Sequence, residues 1–169
     1  MKKYMPLLAA SLLFSLFIYV FYRTEKTLVN QCIIVLFSQE HYSAVKNSIV
    51  SALPLGDYFI YSLPEGLWVF CITITSSFFY IEAVRYKFRL VFVPILVAVV
   101  MEFLQLYHVL NGSFDVVDII FSCVFWLLAL VLTGSQRDLD TESLFRSLNG
   151  KTICCITTYS VVYLAHVVY

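Results

Sequence analysis

Long apolar runs separated by short polar segments set the pattern of this chain. Positions 4–22 carry no charge between Lys3 and Arg23, and further apolar runs cover 66–81, 90–109, 116–133 and 152–169. Each is about 16–20 residues long, the length a helix needs to cross roughly 30 Å of hydrocarbon. The pattern predicts an all-α, polytopic transmembrane helix bundle of about five spans, forming a single membrane domain over 1–169. A secretory signal would also begin with Lys-Lys and an apolar run. This run is long for one and no clear A-x-A site precedes Arg23, so the first span is expected to be retained.

Helix punctuation agrees with these limits. Pro64 and Glu65 suit the opening of the second span, where a proline is tolerated and an acid complements the helix dipole. Pro94 falls in the first turns of the third, and Gly134 is a natural stop for the fourth. Asn111-Gly112-Ser113 is turn chemistry, which makes spans three and four a tight antiparallel hairpin. The link 82–89 is also short. The segment 23–63 is the longest non-spanning piece and is assigned to the outer interface. Within it Tyr42, Val45, Ile49 and Ala52 recur at helical spacing around Lys46, Asn47 and Ser48. That spacing predicts one interfacial amphipathic helix, lying on the membrane or capping the bundle. The run 32–37 is too short to span and is either interfacial or re-entrant.

Composition explains why lipid is the expected solvent. Hydrophobic residues make up 61% of the 169 positions and charged residues only 13%, about half the usual charged share of a soluble domain. Mean hydropathy is +0.87. Lysine plus arginine and aspartate plus glutamate balance at 11 each, so no net charge points to nucleic acid. Aromatic residues at 17% suit a bilayer protein with rings at the interface. With the N-terminus in the cytoplasm, Lys2, Lys3, Arg85, Lys87, Arg89, Arg137, Arg146 and Lys151 lie inside, and Arg23, Lys26 and Lys46 outside. This eight-to-three bias favours an N-in, C-out chain. The five cysteines (Cys32, Cys71, Cys123, Cys154, Cys155) form no CxxC and read as small hydrophobes. No metal set and no cofactor motif is legible, and the oligomeric state is open.

Ionisable residues inside spans stand out because burying their charge in lipid costs several kcal/mol. Glu102 lies in span three, about 10 Å below its outer end at 1.5 Å per residue, and Gln105 follows on the same face. Asp118 lies one turn into span four, with Asp115 at its entrance. Glu65 and Trp68, three apart, open span two from the same outer side. Three helix ends therefore bring carboxylates to the outer half of the bundle, with His108 near by. Such groups could serve as a proton relay, a cation site or an acid/base site. Each also has a plainer role: Asp115 as a helix cap, Glu65 as a dipole complement, Trp68 as an interfacial ring, His108 as a turn residue, and Glu102 as a protonated carboxyl gluing helices. Glu82 with Arg85, and Asp138, Asp140 and Glu142 near Arg137, read as solvated cytoplasmic ends. No nucleophile-and-base constellation is present, so no catalytic residue is assigned and an enzyme is the lesser expectation.

The run Glu102-x-x-Gln105, a short turn, then Phe114-Asp115-x-x-Asp118 resembles the VanZ-like family of small multi-pass bacterial membrane proteins. Leu63-Pro64-Glu65-Gly66-Leu67-Trp68 stands where that family carries an acid and a His three apart. The resemblance covers about 54–133. It implies a cytoplasmic (inner) membrane location, a cell-envelope or glycopeptide-resistance role, and a lipid-linked or glycopeptide-related ligand. The chain departs from the pattern at Gly112 and Ser113 where an Arg is common, at Trp68 in place of His, and at Ser122 in place of Asn. The acids and Gln105 remain, but the basic partner of the turn is lost. A small membrane scaffold or accessory subunit without chemistry, and a proton- or cation-coupled transporter, are the alternatives from other classes.

Overall fold

The computed structural model describes residues 1–83, 86–110, 112–134, 142–143 and 149–161. The chain is mostly helical: α1 (Met5–Tyr22), α2 (Leu28–Phe37), α3 (Gln39–Ala52), α4 (Asp57–Tyr61), α5 (Leu63–Ser76), α6 (Val93–Leu106), α7 (Val116–Gly134) and α8 (Gly150–Ser160). Among the described residues three helical stretches are long and apolar enough to cross a membrane: Lys2–Tyr22, Asp57–Ser76 and Val116–Gly134. Leu28–Phe37 and Leu90–Leu106 are apolar but shorter. The last part of the expected fifth span, 162–169, lies outside the described residues, as do Arg85, Asn111, Arg137, Asp138, Asp140 and Arg146.

Along the chain, α1, α5, α6, α7 and α8 alternate in direction. Ser15 donates to the Pro64 carbonyl at 3.5 Å and the Cys71 thiol to that of Leu8 at 3.9 Å, so α1 and α5 run antiparallel. Gly66 and Phe70 meet Phe125, and Ser122 reaches Glu65, so α5 and α7 run parallel. Trp126 donates to the Val91 carbonyl at 2.9 Å while Glu102 meets Asp115, which sets α6 against α7. Cys155 sits in the cluster of Tyr4 and Phe78, and Thr158 farther along α8 meets Thr75 and Trp68, so α8 opposes α5. Helix α5 is the centre: from Trp68 to Phe79 every residue is buried.

The core is apolar, with Phe70, Ile72, Ile74 and Phe79 buried, but polar side chains are buried beside them. The centre holds hydroxyls, and each finds a partner: Thr73 the Val69 carbonyl, Thr75 the Thr158 hydroxyl, Ser76 the Tyr159 hydroxyl. Many other large apolar side chains point outward, with Leu13 65%, Leu96 62% and Val131 70% exposed. Water would penalise that surface, at about 25 cal/mol per Å² of apolar area. A hydrocarbon solvent removes the penalty and rewards satisfied polar groups inside.

Two expectations are corrected. The second apolar run is not helical through 81: the helix ends at Ser76, and Phe79–Ala83 (β1) pairs antiparallel with Tyr86–Arg89 (β2) from Tyr80↔Arg89 to Ala83↔Tyr86. Glu142–Ser143 (β3) adds in parallel on the other side of β1. The 82–89 link is thus part of a small sheet, and the chain is not purely α. The physical cause is local. The Ser77 hydroxyl donates to the Ile74 carbonyl at 2.7 Å, competing with the helical ladder. The following Phe79-Tyr80-Ile81 is aromatic and β-branched, which favours a pleated surface. The third apolar run also ends as helix at Leu106, three residues early, because the turn begins at Tyr107 and His108 takes a positive φ of 57°.

The excursion between α1 and α5 folds over one end of the bundle. Helix α3 leans on α1: the buried Tyr42 donates to the Val20 carbonyl at 2.6 Å. Burial, with the charge of Glu25 adding to it, raises the Tyr42 pKa to about 12, so the phenol remains a donor at any ordinary pH. Lys46 donates to the Arg23 carbonyl at 3.0 Å and pairs with Glu25 at 3.7 Å. Tyr22 donates to the Leu53 carbonyl at 2.6 Å. Of the two placements open for this helix, its side-chain bonds are those of a cap on the bundle.

Candidate functional site

Three helices deliver one acid each to the same place. A carboxylate oxygen of Glu65, one of Glu102 and one of Asp118 all lie within 4.8 Å of one another. Glu65 sits in the first turn of α5, which Pro64 helps to start. Glu102 lies one turn before the end of α6 and Asp118 in the first turn of α7, so the tight hairpin sets them at one depth. Glu102 is 1% exposed; the other two are half-buried.

The surroundings satisfy these groups only in part. The Asp115 backbone N–H donates to Glu102 Oε2 at 3.1 Å. Ser122 donates to Glu65 Oε1 at 3.5 Å, and the buried Ser62 hydroxyl approaches Asp118. Asp118 Oδ1 is buried and accepts no hydrogen bond among the described residues. Two unit charges about 4 Å apart repel by about 4 kcal/mol at an effective dielectric near 20, so a proton or a cation is the natural complement of the trio. Carboxylate oxygens bind Mg²⁺ or Ca²⁺ at about 2.0–2.6 Å, and the spacing of these three allows them to face one ion. The sequence places these acids at one end of the bundle and leaves a cation site among three options, with no metal assigned.

The remaining candidates have other tasks. Asp115 caps α7, accepting from the Val117 N–H at 2.8 Å. Gln105 lies against the turn: a Cβ on Gly112 would fall 2.9 Å from its amide carbon, and Gly112 has φ 135°, a conformation in which any side chain is strained. Trp68 turns away from the acids, and its indole donates to the Thr158 carbonyl of α8 at 2.9 Å in the core. His108 is exposed in the turn. Trp68→Phe should therefore cost about 1 kcal/mol, the net worth of one hydrogen bond, and lower the melting temperature without changing ligand-dependent behaviour. A thermal melt in detergent beside the phenotype measured for the acid variants checks this.

Arg23 was legible only as an outer positive charge, yet it belongs to this neighbourhood. Its guanidinium stands 5.1 Å from the Tyr19 ring centroid and 5.0 Å from that of Tyr61. Its charge acts on both Glu65 and Asp118 while forming no ion pair with them among the described residues. Tyr19 at i−4 was the available signal for its placement; Tyr61, 38 residues on, could not be read. Comparison of the chain with known families, curated proteins and solved structures found no match.

Proposed function

We propose that the chain is a multi-pass protein of a bacterial cytoplasmic membrane, crossing it five times with the N-terminus inside and the C-terminus outside. On this reading it is a divergent VanZ-like protein whose acids form a ligand site in the outer half of the bundle, with a lipid-linked or glycopeptide-related ligand of the cell envelope. The observation that carries the site is the meeting of Glu65, Glu102 and Asp118 from three separate helices. The Lys/Arg bias supports the orientation, and the alternation of α1, α5, α6, α7 and α8 is compatible with an odd number of passes.

The test is Glu102→Gln and Asp118→Asn, each with membrane accumulation measured beside sensitivity to envelope-directed antibiotics. Normal accumulation with a lost phenotype is the expected result. Loss of the protein itself would favour a scaffold whose acids are helix glue, and an unchanged phenotype would remove these residues from the function. The trio also favours a second reading, proton or cation coupling. Proton flux into vesicles carrying the purified protein, absent in the same two variants, is its expected signature.

A further inference from the structure

Helix α2 is strongly apolar, yet Asn30 is the one residue of the helix that the bundle buries. Its sequence is Leu-Val-Asn-Gln-Cys-Ile-Ile-Val-Leu-Phe. It is pinned near its start: buried Asn30 donates to the Tyr19 carbonyl at 3.1 Å and the Thr24 carbonyl at 2.9 Å. Toward its end Val35, Leu36 and Phe37 are 83%, 75% and 66% exposed. Ser38, with φ 68°, then reverses the chain into polar α3. At 1.5 Å per residue α2 is about 15 Å long, half of what a crossing needs.

We infer that α2 dips its Val35-Leu36-Phe37 end into the outer leaflet as a re-entrant lipid contact, while α3 caps the bundle above it. This rests on the membrane reading proposed above. Three observations favour lipid as the occupant. Helix α1, to which Asn30 ties α2, likewise exposes large apolar side chains, Leu13 and Phe14 among them. The basic residues Arg23, Lys26 and Lys46 lie along the same corner of the chain, where lipid phosphates would stand. Exposed Tyr58, Phe59 and Tyr61 of α4 form aromatic rings of the kind that mark a membrane–water boundary.

The experiment uses the full chain in phosphatidylcholine–phosphatidylglycerol vesicles, with Leu36→Trp as the probe and the native Trp68 and Trp126 as a constant baseline. Lipids brominated at shallow acyl positions should cause a roughly twofold loss of the added emission, consistent with an apolar face about 5–10 Å below the headgroups. Ser48→Trp in α3 should instead be quenched by aqueous iodide. Leu13→Trp reports on the membrane reading itself. Lipid quenching at 13 but iodide quenching at 36 overturns the re-entrant contact alone, and iodide quenching at both overturns the membrane reading with it. Protection at 36 that disappears on dilution with excess lipid would assign the face to a second copy and also overturn the inference.

Discussion

Alanine at Gly66 should lower the melting temperature of the purified protein by several degrees and reduce its accumulation in membranes. A Cβ there would fall 2.5 Å from Phe125 Cδ2 and 3.1 Å from Cε2. The ring has little room to swing, since Phe70 meets it edge-on at 6.3 Å between centroids and Phe121 stacks at 6.4 Å. Forced overpacking of this kind costs about 1–3 kcal/mol. Phe125→Leu should recover part of the loss in the Gly66→Ala background while costing stability alone, the signature of two residues sharing one contact. A Gly66→Ala protein that melts like its parent would mean that α5 and α7 are less tightly joined. Because Glu65 is adjacent, the same contact fixes how far one acid projects toward the other two.

The triple variant Glu65→Gln, Glu102→Gln, Asp118→Asn should melt above its parent at neutral pH, although its function is lost. The amides keep the shapes of the acids and can still accept from the Asp115 N–H and the Ser122 hydroxyl. They remove like-charge repulsion from a site enclosed by protein, a change expected to be worth about 1 kcal/mol or more. Thermal melts in detergent at low and high salt measure it. A lower melting temperature would mean that the carboxyl groups hold the helices together by shared protons, which is the scaffold alternative.

The apolar periodicity carried the helix limits well where caps were local. Helix α7 runs as far as Gly134, and the turn that holds Gly112 at φ 135° does bring α6 back as α7. The depth match of Glu102 and Asp118 followed from that hairpin by counting residues. What sequence spacing could not give was lateral position. Nothing local tells that Trp68 faces α8, that Arg23 lies between two tyrosines, or that β3 joins the sheet from 60 residues away. The strand at Phe79–Ala83 was hidden for another reason: a short apolar run has the same hydropathy as helix or strand, and only its aromatic and β-branched content leans one way.

The Asp57–Ser76 stretch, which α5 completes, is the most enclosed of the crossing candidates and also the least oily, with a mean hydropathy of 1.3 against 2.0 for Lys2–Tyr22 and 2.5 for Val116–Gly134. Thr75, Ser76 and Glu65 are matched to neighbouring helices, not to acyl chains. On the five-pass reading this has a consequence for biogenesis. A segment so poor in leucine partitions weakly when it emerges alone from the ribosome. Helix α1 is synthesised first and offers the Leu8 carbonyl and Ser15 hydroxyl that meet α5, while α7 follows with Phe125. Insertion of α5 is therefore an assembly step: it leaves the translocation channel in company, and its residence there should lengthen when α1 is replaced by an unrelated apolar span.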